Sequence, residues 1–206
     1  MKGLLSFANR IGYISFNVGV AVELPKPEER LAERILPEAA IQKIIHAPTN
    51  DRDHALLRLL YAAGRRVSEP ASLRWRHLQQ HKDAGFISVR GKESKTRSVF
   101  LSSDTWKALN KLQDGSGGET PVFRSQMGGR LSTSRIYQIV RKAAERAGID
   151  KDVSPYWMRH AHAWHALDRG APVHLVKETL GHSSLATTSR YTHARPGDSS
   201  ARYLAV

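Results

Sequence analysis

Two short segments, GFISVRG (85–91) and TRSVFLS (96–102), constrain the fold more than any other part of the chain. Both favour extended backbone, and the intervening KESK supplies a charged, polar tip, so together they read as a β-hairpin. Almost everything else has helical spacing. LPEAAIQKIIHA sets Ile41, Ile44 and Ile45 on one apolar stripe, with Pro37 in the first turn. NDRDHALLRLLYAAG (50–64) reads as a helix capped near Asn50 and stopped by Gly64. SEPASLRW (68–75) can begin a third helix, with Pro70 in its first turn. SDTWKALNKLQ follows the hairpin, and STSRIYQIVRKAAERAG (132–148) follows the glycine-rich loop GSGGETPVF. Three more helical stretches, about 154–169, 172–180 and 184–194, close the chain. The expected class is mainly α with a small antiparallel β-sheet, an α+β fold.

Length and charge bound the rest. The 206 residues suit one domain with a short extension. Residues 1–34 read as the end of a helix, an extended segment and the proline-bearing linker ELPKPEER. Residues 35–206 hold the dense succession of elements. Thirty-two Lys and Arg oppose nineteen Asp and Glu, a formal net charge of +13. Such a surplus favours a polyanionic partner, and nucleic acid is the commonest one. The absence of cysteine excludes disulfides and thiolate metal sites. No apolar run approaches the ~18 residues of a membrane span. Asn9, Arg10 and Asn17 interrupt the N-terminal apolar residues, so the expectation is a cytoplasmic protein without a membrane partner.

YWMRHAHAWH (156–165) packs three histidines and an arginine into ten positions. Helical residues advance by about 100° each, so ligands for one ion sit three or four apart. His160 and His162 cannot share one. His162 and His165 have the spacing, but no Asp or Glu stands at the matching positions, and Asp168 is the only acid on that helix. No metal site is expected. Tyr156 and Arg159 share a face at the N-terminal end of a helix introduced by Ser154 and Pro155, a natural seat for an anion. The arginine's planar fork fits two phosphate oxygens at once.

Further motifs stand to either side: GRRVSE (64–69) upstream, GKESK (91–95) at the hairpin, and LGHSSLATTSRYTH (180–193) downstream. The order G-x-R-x-S-E, G-K-x-x-K, P-x-x-x-R-H, L-G-H, and a tyrosine nine residues after that histidine resembles the tyrosine recombinase, or phage integrase, family. The resemblance spans about residues 36–195, the family's catalytic domain. It implies that fold, and it makes residues 1–34 the remnant of a preceding core-binding domain plus linker. It also implies that the chain is a truncated product or fragment with weak DNA affinity. Arg66 resembles the first catalytic arginine, with Arg65 in a place the family usually fills with an apolar residue. Glu69 resembles the supporting acid, Lys92 the general-acid lysine with Lys95 as fallback, Arg159 the second arginine, His182 the late histidine, and Tyr191 the nucleophile. The family usually has histidine where this chain has Tyr156. A phenol can donate a hydrogen bond but cannot carry positive charge, so slower chemistry or altered proton transfer is expected.

The activity implied is site-specific DNA cleavage and rejoining, as in recombination or integration of a mobile genetic element. A tyrosine oxygen attacks a phosphodiester, leaving a 3′-phosphotyrosyl link and a free 5′-hydroxyl. Charge gathers on the non-bridging oxygens, and two arginines can meet it without a metal ion. The covalent link conserves the bond's free energy, so neither ATP nor any other cofactor is needed. Arg65, Arg74, Arg76, Lys95 and Arg97 lie in the basic stretch around the two upstream motifs, and Arg135, Arg141 and Lys142 follow on a later helix. All are expected DNA contacts of the kind that fix position without reading sequence. The apolar end of ARPGDSSARYLAV is expected to dock on a neighbouring subunit, making a homo-oligomer on double-stranded DNA. Three alternatives remain: a DNA-binding remnant that barely cuts, a type IB topoisomerase with the same chemistry, and a metal hydrolase built on His162 and His165.

Overall fold

Helical periodicity and one sheet account for the described residues, which are 2–22, 34–90, 96–189 and 191 of this computed structural model. The hairpin tip with Lys92 and Lys95, the ELPKPEER linker and the C-terminal tail beyond Tyr191 lie outside the described residues. The chain divides into two compact units, Met1–Arg30 and Leu31–Val206. In the first, helix α1 (Lys2–Arg10) is followed by a 3-10 turn at Val18–Val20. That turn replaces the expected extended segment. The Asn17 side chain accepts the Gly19 N–H at 3.0 Å and donates to Ser6 Oγ at 3.1 Å, which favours a turn over a strand.

The second unit is built around α3 (Asp51–Ala62), which packs against α2 (Glu38–His46), α5 (Ser103–Asn110) and α7 (Pro155–Asp168). Asn50 caps α3 by accepting the Asp53 N–H at 2.8 Å, and Leu56, Leu57, Leu59 and Leu60 are buried along it. Pro37 stands one place earlier than expected, at the N-cap of α2, because its ψ of 151° is extended. Ile41, Ile44 and Ile45 are buried on α2 as their spacing requires. Helix α4 (Ser68–Ala71) is a single turn.

Strands β1 (Leu78–His81), β2 (Ala84–Arg90) and β3 (Thr96–Leu101) form an antiparallel sheet in that order. The hairpin register sets Ile87 opposite Val99 and Phe86 opposite Phe100. Ile87, Val99 and Leu101 are buried, whereas Phe100 is 56% exposed. Strand β1 is an addition to the expected hairpin. Its sequence LQQH has no apolar alternation, and it joins the edge through backbone pairing to β2. Gly85 is required where β2 meets α5, since a Cβ there would lie 2.3 Å from the Trp106 ring.

Helix α6 (Thr133–Arg146) is capped by Ser132, and α7, α8 (Val173–Leu180) and α9 (Leu185–Ser189) complete the domain. A small second core gathers Ala163 and Leu167 of α7, Val176 and Leu180 of α8, and Tyr191 beyond α9. Burying a leucine such as Leu180 is worth about 2 kcal/mol, so this cluster fixes the ends of α7, α8 and α9 against one another. None of the described helices is long and apolar enough to cross a membrane.

Candidate active site

The site is made where two helices stop. Gly64 follows α3 with φ +56°, and Gly181 closes α8 with φ +66°, the left-handed conformation that ends a helix and that glycine adopts without strain. The last carbonyls of a helix have no partner within it and carry partial negative charge. Arg159, 5% exposed on α7, fills both gaps: Nη1 donates to the Gly64 carbonyl at 2.6 Å and Nη2 to the Leu180 carbonyl at 2.9 Å. Arg66 Nη2 donates to the Gly181 carbonyl at 3.0 Å. A Cβ on Gly64 would lie 2.5 Å from Leu180 and 2.8 Å from His162, and one on Gly181 would meet the Arg97 guanidinium at 2.0 Å. Two arginines distant in sequence are thereby held beside one another by three carbonyls at the ends of α3 and α8.

Glu69 organises the surrounding cations. Its Oε2 accepts the Arg66 backbone N–H at 2.9 Å and Arg65 Nε at 3.1 Å, and its Oε1 accepts Arg97 Nη2 at 2.9 Å. Burial, then the charge of Arg66, lowers the Arg159 pKa to about 10, with Glu69 and Tyr191 opposing the shift. Burial likewise lowers Arg65 to about 10, opposed by Glu69 and reinforced by Arg97, Arg159 and Arg66. Arg65 and Arg159 therefore stay charged at neutral pH. Four cations and one carboxylate leave three positive charges in excess, so an anion is the natural complement.

His182 and Tyr191 complete the constellation. His182 Nδ1 lies 2.9 Å from the hydroxyl of fully buried Thr188. Burial, then Arg159, Arg66, His160 and Arg97, lowers the His182 pKa to about 4, so its imidazole is neutral at pH 7. Tyr191 is 5% exposed, and its hydroxyl sits 2.5 Å from His160 Nδ1. Tyr156, 55% exposed, tilts its ring against His160 with centroids 5.7 Å apart.

The structure corrects one of the expected DNA contacts, Arg65. Arg65 is 2% exposed, and its Nη1 and Nη2 are buried without hydrogen-bond partners, so it cannot reach a duplex from this position. The left-handed turn at Gly64 sends Arg65 inward and Arg66 outward. Arg97 lies within the arginine cluster as a Glu69 partner rather than on an outer surface. Arg74 and Arg76 both pair with Glu119. Arg135, Arg141 and Lys142 are exposed on α6, with Arg141 near Glu145 and Asp152.

His162 and His165 serve α3 instead of an ion. His162 Nδ1 donates to the Tyr61 carbonyl at 2.8 Å, and His165 Nδ1 lies 2.9 Å from the Tyr61 hydroxyl. Among the described residues no three His, Cys, Asp or Glu side chains form a group that could hold a metal ion. Two participants were given no role from sequence: His160, weighed as a metal ligand and otherwise only the last residue of P-x-x-x-R-H, and Thr188. The about 100° step from Arg159 already put His160 on a neighbouring face, but nothing local in the sequence indicated that Tyr191 would fold back to it.

Residues 34–197 match the Phage integrase family. Tyrosine recombinase XerC of Xylella fastidiosa (strain M23) is 35% identical over 198 residues, covering 93% of this chain and 66% of the relative. Tyrosine recombinase XerD of Corynebacterium glutamicum is 34% identical over 205 residues, covering 93% of this chain and 67% of the relative. The chain thus spans about two thirds of the length of these curated relatives. Among solved structures, XerA recombinase superposes with a TM-score of 0.70 at 28% identity, covering 86% of this chain and 63% of that one. XerH site-specific recombinase bound to difH substrate gives a TM-score of 0.73 at 20% identity, covering 98% of this chain and 60% of that one. The fold is that of a tyrosine recombinase catalytic domain.

Proposed function

Since the chain belongs to the phage integrase family, we propose that it cleaves and rejoins DNA at specific sites through a 3′-phosphotyrosyl intermediate on Tyr191. The observation that carries this reading is the convergence of Arg66 and Arg159 on the ends of α3 and α8, with Tyr191 tied to α7 beside them. Arg66 and Arg159 bind the non-bridging oxygens of the scissile phosphate, where charge grows as the tyrosine oxygen attacks. Each exchanges or shares a backbone carbonyl for a phosphate oxygen, a charge-assisted contact that is the stronger of the two. His182 is neutral. With Nδ1 accepting from Thr188, its Nε2–H is left to donate to the same phosphate. Glu69 holds Arg66, Arg65 and Arg97 in place without touching the substrate.

The remaining assignments rest on the family resemblance. Lys92 protonates the departing 5′-oxygen, with Lys95 as fallback, and Tyr156 contributes a hydroxyl where relatives have an imidazole. Arg74, Arg76, Arg135, Arg141 and Lys142 meet backbone phosphates of double-stranded DNA, exchanging Glu119, Glu145 and Asp152 for them. Residues 1–34 belong to the preceding core-binding module and its linker. The tail beyond residue 195 docks on a second copy on DNA, and the reaction takes place in the cytoplasm. A nicked suicide duplex tests the central assignment. The chain should form an SDS-resistant protein–DNA adduct in EDTA, and Tyr191→Phe should abolish the adduct while retaining binding. Binding without any adduct from the unsubstituted chain would reduce the protein to a DNA-binding module.

A further inference from the structure

The contact between His160 and Tyr191 has no counterpart among the roles assigned above. The two side chains come from α7 and from the segment beyond α9, and the Nδ1–hydroxyl distance is 2.5 Å. Their ring centroids are 5.8 Å apart, and the Tyr156 ring centroid is 5.7 Å from that of the imidazole. The position where a histidine is expected from the family pattern thus holds a phenol, and one helical turn further along α7 an imidazole grips the nucleophile.

We infer that His160 is the group that orients the Tyr191 hydroxyl and accepts its proton during attack on DNA, in place of the imidazole missing at Tyr156. This rests on Tyr191 being the nucleophile. A phenol is almost wholly protonated at neutral pH, so its proton must leave as the oxygen–phosphorus bond forms. His182 and Tyr156 are less suited to take it. His182 has Nδ1 committed to Thr188, and four cationic or imidazole neighbours oppose its protonation. Tyr156 has no basic nitrogen and is 55% exposed. His160 places a ring nitrogen 2.5 Å from the hydroxyl.

The step balances as follows. The Tyr191 O–H bond breaks and its proton passes to Nδ1 of His160, which must hold its resting proton on Nε2. The phenolic oxygen bonds to phosphorus while the P–O5′ bond breaks. The departing electron pair stays on the 5′-oxygen, which takes a proton from a lysine ammonium, the role given to Lys92. In rejoining, the 5′-hydroxyl gives its proton back to the lysine amine as it attacks the phosphotyrosine, the phosphorus–phenolic oxygen bond breaks, and the imidazolium returns its proton to the phenolate. Among the described residues, the charged and titratable groups around His160 include Arg159 and Tyr156 on its own helix, His182 between α8 and α9, and Tyr191 itself.

Single-turnover adduct formation on the nicked duplex, followed from pH 5.5 to 9.5, tests this. His160→Ala should slow it about 100-fold at pH 7, the usual scale of general-base catalysis. Its rate should then climb tenfold per pH unit where the unsubstituted chain levels off. His160→Gln keeps a hydrogen-bonding side chain but cannot take the proton, and should stay similarly slow. A substrate with sulfur at the 5′-bridging position, whose leaving group needs no proton, should not rescue either variant. Gln restoring the rate to within threefold would make His160 a holder only, and rescue by the sulfur substrate would move its action to the leaving group. Either overturns the proposal. An adduct forming at full rate in both variants sinks it while sparing the function of Tyr191, whereas no adduct from the unsubstituted chain sinks both.

Discussion

Arg65 and Arg66 are neighbours of the same chemistry with opposite fates. Arg66 stands at the surface, its guanidinium on the Gly181 carbonyl and free to turn to a ligand. Arg65 is sealed inside, with one bond to Glu69 and two buried nitrogens lacking partners. A buried charge with incomplete hydrogen bonding costs more than its ion pair returns. The contrast shows that position relative to the Gly64 turn, and not residue type, decides which arginine can act. The family pattern agrees, because the site of Arg65 is one where an apolar side chain suffices.

The largest effect should come from the outer arginine. Arg66→Ala is expected to slow adduct formation about 1000-fold, the upper range for removing one transition-state donor, while the unfolding midpoint hardly moves. Equal losses of activity and stability would show that Arg66 is structural after all. Next comes the turn that separates the pair. Gly64→Ala combines a strained left-handed alanine with a clash against Leu180 and His162, and should cost about 3 kcal/mol in urea unfolding.

His162, beside the same turn, sharpens the contrast because it can give up the charge that Arg65 must keep. Burial, with Arg159 and His165 adding to it, lowers its pKa to about 4. Between that value and about 6.5 the unfolded chain binds a proton that the folded chain refuses. Stability is therefore full above about pH 6.5, falls as pH drops toward 4, and levels off below. His162 should account for about 3 kcal/mol of the loss across this window, His182 adding its own share, and His162→Asn should remove the His162 part of the slope.

Smaller still, and of opposite sign, Arg65→Leu should raise stability by about 1 kcal/mol, since Glu69 keeps Arg97 and the Arg66 N–H. Adduct formation should stay within threefold of normal. A large loss would mean that Arg65 supports the phosphate site electrostatically and would erase the distinction drawn here. Arg141→Ala, on an exposed helix with long ion pairs, should change stability by under about 0.5 kcal/mol while reducing the salt dependence of DNA binding by about one phosphate contact.

Much of this was legible in the sequence, for identifiable reasons. The cap at Asn50 and the stop at Gly64 marked α3, because capping and left-handed glycine are local physics. The Ile41–Ile44–Ile45 stripe marked the buried face of α2. Strand β1 was hidden because its stability comes from backbone pairing with β2, while its own side chains carry no period. Arg66, Arg159, His182 and Tyr191 were found as ordered motifs, and the structure gathers them as neighbours. The inward turn of Arg65, the Glu69 bond of Arg97 and the hold of His160 on Tyr191 were not legible. Each depends on contacts between segments 28 or more residues apart, or on which way one side chain leaves a tight turn.

The account stands on two guanidiniums meeting one phosphorus. A crystal structure of the chain trapped on a nicked suicide duplex tests this most directly. The prediction is a phosphate bonded to the Tyr191 oxygen, with both Arg66 and Arg159 within hydrogen-bonding distance of its non-bridging oxygens. A phosphate linked to a different residue, or one held by a single arginine with the other still bound to its carbonyls, would contradict it.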